Sequence, residues 1–174
     1  MTEEKRIMEF CEITRGIFNG KQLEQLIEMG YFKAPASLAH HGTKEGDLYL
    51  HSKMIYLQLE EYTQKLYLSW EARRSTAVVA FLHDLCKADD YVLEDGKYVW
   101  NKSSMLAGHG DKSAIMALQL FPDLTDEEMM CIRYHMGAYE GKEKWETLGN
   151  AIQRYPNILW VHQADMITSN VWNV

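Results

Sequence analysis

The sequence predicts an all-α protein: a single-domain helical bundle with one small β-hairpin near residues 91–100. Three observations carry that expectation. Apolar residues recur at helical spacing through most segments, several segments open or close on recognisable cap residues, and the run Ala77-Val78-Val79-Ala80-Phe81-Leu82 is apolar nearly all round. A helix without a polar face belongs at the centre of a bundle. With 174 residues, 47% hydrophobic and 25% charged, the chain has the balance of an ordinary globular domain and the length to bury a core.

Thr2 followed by Glu3 and Glu4 suits a helix start, and Ile7, Phe10, Cys11, Ile17 and Phe18 mark its apolar face up to a break at Asn19-Gly20. Leu23, Leu26 and Ile27 predict a second short helix that Gly30 ends. Residues 1–30 are therefore expected as N-terminal helices packing on a core formed by residues 31–174. From Tyr31 to Gly46, Pro35, two glycines and the adjacent His40-His41 predict a loop. Loops of that length inside compact domains tend to be functional.

Asp47 is expected to cap a helix with the stripe Ile55, Leu59, Tyr62 and Leu66, and His51, one turn before Ile55, points inward along it. Ser69 is expected to cap the central helix, running to about Lys87 with His83-Asp84 near its end. Tyr91-Val92-Leu93 and Lys97-Tyr98-Val99-Trp100 flank Glu94-Asp95-Gly96 as a hairpin. A short helix is expected from Asp111 to Leu120, with His109 just before it. Thr125-Asp126-Glu127-Glu128 reads as a capping box opening a helix that carries Arg133 and His135 and stops at Gly137. Trp145, Leu148 and Ile152 support another helix. After Pro156 a last one carries His162 and Asp165, three apart and on one face.

Charge narrows the partners. The net charge is −7, with 25 acidic against 18 basic residues, and no basic cluster exceeds Arg73-Arg74. Gripping a long polyanion requires Lys and Arg at several phosphates, so a long nucleic acid is not the expected partner. A small anionic substrate held through a metal is compatible with this balance, because a divalent ion dominates its local field. No run of about 18 apolar residues could span a bilayer, and the N-terminus lacks the layout of a signal peptide. The three cysteines, Cys11, Cys86 and Cys131, are widely spaced in apolar helical surroundings. They are expected as reduced, buried thiols of a cytoplasmic protein. An oligomer is compatible with all of this.

A single histidine on an apolar helix face is ordinarily a core residue, but aspartate is almost never fully buried without a partner. Here His83-Asp84 ends the most apolar helix, and Asp165 lies in the apolar run from Ile158 to Ile167. Carboxylates and imidazoles directed into one core are costly unless something pairs them. A divalent cation is the simplest single partner, and mixed imidazole and carboxylate ligands suit Mn, Fe, Co or Zn, with Mg also admitted.

The order His51, then His83-Asp84, then Asp165, on successive helices, resembles the H…HD…D signature of the HD-domain metal-dependent phosphohydrolases. The resemblance covers roughly residue 31 onward. His83-Asp84-Leu85-Cys86-Lys87 is similar to the HDxxK form of the motif. His109 in Gly108-His109-Gly110 and His135 in Tyr134-His135-Met136-Gly137 fall where two-metal members place two additional histidines. Small stand-alone HD proteins of bacteria and phages look most similar in size. The segment from Ala34 to Ser52 is also similar to the lead-in of HD-type 3′–5′ exoribonucleases, although the chain has no room for their additional nucleic-acid-binding domain.

The resemblance implies an HD-type bundle in which His51, His83, Asp84 and Asp165 hold one metal and Asp84 bridges to a second held by His109 and His135. It implies one or two divalent ions activating water against phosphorus, with Asp84 and Lys87 in the catalytic centre. Lys87, Arg133, Lys112 and His41 are the substrate-side candidates. The expected activity is hydrolysis of a phosphate ester or anhydride in a small nucleotide. The alternatives are 3′–5′ trimming of short single strands, or a non-catalytic binding module stabilised by metal.

Overall fold

The computed structural model describes residues 1–39, 42–105, 107–139 and 141–174. Helix α1 (Glu3–Ile13) begins at Thr2, whose hydroxyl accepts from the Lys5 amide at 3.4 Å. The helix ends at Ile13, short of the expected break at Asn19-Gly20, because the Thr14 amide and hydroxyl both close back on the Phe10 carbonyl, and Asn19 instead opens the next helix. Its side chain and that of Gln22 cap each other's backbone to open α2 (Gly20–Glu28). A connection through residues 29–46 leads to α3 (Asp47–Leu66), with Gly46 rather than Asp47 in the cap position. The Asp47 carboxylate instead accepts from the Lys44 amide at 2.8 Å, bracing the entering turn.

The central helix, α4 (Ser75–Leu82), starts later than the sequence suggests. Ser69 does not cap it: the Ser69 carbonyl is taken by the Asn157 side-chain amide at 2.8 Å. The start is fixed by tertiary contacts, the Ser75 hydroxyl donating to buried Glu128 at 3.1 Å. Nor does the helix run unbroken to Lys87, since residues 83–86 form turns that lead into α5 (Lys87–Asp90). The hairpin follows as β1 (Tyr91–Glu94) and β2 (Lys97–Trp100), antiparallel, with Tyr91 opposite Trp100 and Glu94 opposite Lys97.

Helix α6 (His109–Leu120) includes His109 as its first residue, two positions before the expected start. The capping box forms as expected on α7 (Asp126–Tyr134), where Thr125 accepts from the Glu128 amide and Glu128 from the Thr125 amide. Helices α8 (Trp145–Arg154) and α9 (Asn157–Ile167) follow, and α9 continues into a π-helical turn, Thr168–Trp172.

All eight residues of α4 are buried, and α3, α6 and α7 pack around it. Helix α9 closes the bundle against α3 and α7. On α3, Ile55 and Leu59 are fully buried, Tyr62 half-buried and Leu66 exposed, so the stripe leaves the core at its end. The Phe10 ring lies edge-on to Phe18, Phe32 and Phe81, with centroids 4.9, 5.3 and 5.0 Å away. Each such pair adds about 0.5–1.5 kcal/mol beyond its burial. That cluster seats α1 on the centre of the bundle. Arg6, also on α1, is buried, its guanidinium on Glu45 at 2.8 Å and on the Met1 carbonyl at 2.6 Å.

Cys86 and Cys131 are buried thiols, whereas Cys11 is exposed on the outer face of α1. The thiols of Cys86 and Cys131 are raised well above their usual pKa, chiefly by burial, and keep their protons. Among the described residues, no helix is long and apolar enough to cross a membrane.

Candidate metal centre

Five elements meet at the Asp84 carboxylate. His83 and Asp84 follow the last turn of α4, His51 comes from α3, His109 opens α6, His135 closes α7, and Asp165 projects from α9. His51, His83 and His135 are fully buried and Asp84 is 3% exposed. Around Asp84 Oδ2 stand Lys87 Nζ at 2.7 Å, His83 Nε2 at 3.5 Å and His51 Nε2 at 3.7 Å. Around Oδ1 stand His109 Nε2 at 2.6 Å and His135 Nε2 at 3.4 Å. Asp165 Oδ1 lies 3.3 Å from His51 Nε2 and accepts from the Ser169 hydroxyl at 3.1 Å.

The far side of each ring explains why the near nitrogens converge. His83 Nδ1 is 2.8 Å from the Ala80 carbonyl, His135 Nδ1 2.7 Å from the Ile132 carbonyl, and His51 Nδ1 2.8 Å from a main-chain oxygen of Val174. These oxygens accept, so Nδ1 carries the proton in each ring and Nε2 of the neutral ring presents a lone pair. The Nε2 atoms of His83 and His135 are buried with no hydrogen-bond partner. Lone pairs of this kind beside a buried carboxylate repel one another unless a cation lies between them.

Two glycines allow the close approach. A Cβ on Gly110 would collide with the Arg133 carbonyl oxygen, so only glycine there lets α6 bring His109 against the end of α7. Gly137, at φ 53°, turns the chain after His135, and a Cβ there would meet the His162 ring. That ring donates from Nδ1 to the His135 carbonyl at 2.8 Å.

Charges follow the geometry. Burial acts to raise Asp84, but Lys87, His83 and His109 outweigh it and hold the carboxyl well below its usual value. Burial likewise opposes ionisation of Asp165, and the His51 contact overcomes it, leaving Asp165 lowered. His83 is pushed down by burial. His135 is raised, because Asp84 more than offsets the same burial. Lys87 is raised by the Asp84 charge against its burial and stays cationic.

Two groups of side chains at this point could hold a metal ion: His51, His83 and Asp84, with ligand atoms all within 4.8 Å of one another, and Asp84, His109 and His135 on the same criterion. Cys86, Asp90 and His109 also lie close together. That third group is a poor cation site, since Asp90 already carries Lys112 Nζ at 2.5 Å and the thiol is protonated. The Asp84 cage opens into a cavity of about 750 Å³ lined by Lys87, Met136, Tyr139, Met166, Asn170 and Asn173 among others.

All six expected ligands, His51, His83, Asp84, His109, His135 and Asp165, come together, and Lys87 joins them. Two substrate-side candidates do not. Lys112 is 1% exposed and held by Asp89 and Asp90, each at 2.5 Å, because its helix face turns toward α5 instead of the cavity. Arg133 pairs with Asp111 and lies over the Tyr134 ring, away from the cavity lining. His41, together with His40, lies outside the described residues.

The carbonyls that lock the rings, the Cys86 thiol 3.1 Å from His109 Nδ1, and the Met and Asn lining escaped the sequence reading. For two carbonyls a signal existed. His83 and His135 each sit at a helix C-cap and turn back three residues to their own helix. Compared with protein-family models, with curated proteins and with solved structures, the chain matches none.

Proposed function

We propose that the protein is a metal-dependent phosphohydrolase that cleaves a phosphate ester or anhydride in a small nucleotide. The observation that carries this reading is the buried Asp84 carboxylate ringed by imidazole nitrogens whose protons are committed to main-chain oxygens. Such a donor set fits one or two divalent ions, with Mn, Fe, Co and Zn favoured by the imidazole and carboxylate mixture and Mg admitted. His51, His83, Asp84 and Asp165 would hold the first, and Asp84, His109 and His135 the second. Bound there, the metal supplies an activated water and neutralises charge on phosphoryl oxygens.

The chain's own groups do the rest. Lys87, cationic and on the cavity wall, is placed to bind a phosphate oxygen and offset its developing charge. Asp84 keeps a negative charge at the cavity floor, with His51 and His83 beside one of its oxygens and His109 and His135 beside the other. The apolar walls, Met136, Tyr139 and Met166, offer a surface for a base, and Asn170 and Asn173 offer polar edges. Lys87 is the one Lys or Arg among the described lining residues, which supports a small substrate over a long polyanion. The order of the ligands in the sequence, like that of HD-domain phosphohydrolases, supports the same reading.

The test is hydrolysis of a panel of nucleotides by metal-loaded protein, with His83→Ala and Asp84→Ala as controls. Turnover lost in both variants is the expected result. Turnover that survives them overturns the proposed site.

A further inference from the structure

His109 is held differently from the other three caged histidines. Main-chain oxygens, which accept, fix the tautomers of His51, His83 and His135. His109 Nδ1 instead meets the Cys86 Sγ at 3.1 Å, while its Nε2 sits 2.6 Å from Asp84 Oδ1. A protonated thiol can donate or accept. On the cage side, His135 Nε2 is buried, without a hydrogen-bond partner, and 3.4 Å from the same carboxylate oxygen.

We infer that Cys86 is a positioning residue that leaves the His109 tautomer convertible, so that the ion held by Asp84, His109 and His135 binds as an exchangeable second ion while the first set of ligands is permanently prepared. The inference rests on the two-ion form of the proposed function. In one state the thiol donates S–H to Nδ1 and the ring donates Nε2–H to Asp84. In the other, Nδ1–H donates to sulfur and the Nε2 lone pair faces the cation. The ring moves one proton from Nε2 to Nδ1 through solvent, to which His109 is open (29% side-chain exposure). The thiol hydrogen turns away, and neither group gains or loses a proton overall. His51, His83 and His135 have no such second state, because their main-chain oxygen partners do not become donors.

Long-range ¹H–¹⁵N correlation spectra of the full chain, taken after chelation and again with Zn²⁺, test this directly. At a pH above the raised His135 value, the expected metal-free spectrum has His51, His83 and His135 as Nδ1–H rings and His109 as an Nε2–H ring, with His109 alone changing tautomer as the second Zn²⁺ binds. Calorimetric Zn²⁺ titration supplies the second readout. Cys86→Ser, which can still donate and accept, keeps second-ion affinity within about threefold. Cys86→Val weakens the second ion by about tenfold or more and leaves the first unchanged, the range expected when a ligand's supporting partner is lost. Finding His109 already in the Nδ1–H form without metal, or an unchanged second ion in Cys86→Val, overturns the inference. Binding of one ion only, with no change at His109, also overturns it but leaves a one-ion phosphohydrolase standing. Failure to bind any Zn²⁺ overturns both.

Discussion

Two of the clusters of charged side chains that the bundle buries differ in how their polar atoms are partnered. At the α4–α7 boundary away from the cage, Glu128 is fully buried, yet its oxygens accept from the Ser75 hydroxyl, the Thr125 amide and the Arg74 guanidinium. Beside it Glu127 accepts from the Glu71 amide at 2.8 Å and from Asn157 at 2.9 Å. Burial raises Glu127 from its ordinary value, and these donors restrain the rise. Every lone pair that matters there meets an N–H or O–H. Around Asp84 the neighbours are mostly lone pairs of imidazole, and the Nε2 atoms of His83 and His135 face no donor. Burial and acidity are common to both clusters; what separates a structural network from a candidate metal centre is the direction of the protons.

That contrast can be broken most forcefully at Asp84. Replacing it as Asp84→Asn removes the charge shared by both ion positions, and turnover on the responsive substrate is expected to fall by about 10³-fold or more, the scale of about 4 kcal/mol of lost transition-state stabilisation. Steady-state kinetics with matched metal analysis checks this; retention of most activity would show that the carboxylate is structural. Lys87→Ala is expected to lower kcat/KM by about 10–100-fold with the metal content unchanged, since a charged hydrogen bond to phosphate contributes about 1.5–3 kcal/mol.

The satisfied cluster should respond in the opposite sense. Glu128→Gln is expected to destabilise the protein by about 1–3 kcal/mol in urea unfolding, through donors left poorly matched in the interior, while metal stoichiometry stays that of the parent. Chelation should do the reverse, lowering the melting temperature of both proteins by the same increment through loss of bound metal.

Acidity sharpens the comparison further. The His135 pKa is raised above the ordinary 6.5 because Asp84 outweighs the burial cost. In the metal-free protein, protonated His135 therefore contributes stability that is complete below 6.5 and is lost as pH rises through the raised folded value. Metal binding runs the other way, since the ligand must shed that proton. Zn²⁺ affinity measured at pH 6 and pH 8 should accordingly rise with pH, by about tenfold for each proton released per pH unit. A pH-independent affinity would place His135 outside the metal shell. The smallest effect belongs to Arg133→Gln, which alters a pairing with Asp111 outside the cavity lining and should change kcat/KM by less than about threefold.

How much of this was legible in the sequence follows from the range of the interactions involved. Helical periodicity and the Thr2 and Thr125 caps act within one turn, and α1 and α7 begin where they indicate. The start of α4 was misjudged because no local cap sets it: Ser75 is held by Glu128, 53 residues away. His83-Asp84 and Asp165 stand out because polar groups in apolar helical settings are costly to bury, whereas the six candidate ligands are legible as a set only through the residue order that resembles HD-domain phosphohydrolases. Lys112 and Arg133 misled because nearness to His109 and His135 along the chain says nothing about which side of a helix a side chain leaves from. The acceptors that orient the rings were invisible where they are distant, as at Val174 beneath His51, 123 residues away.

Crystals grown with Mn²⁺ and measured near the manganese absorption edge would locate any bound ion by its anomalous signal. The expected outcome is an anomalous peak within coordination distance of an Asp84 oxygen and of the Nε2 atoms of His83 or His135. Anomalous peaks elsewhere, or a cage with water or lysine in the same place and no metal signal, would contradict the assignment of Asp84 as the shared ligand.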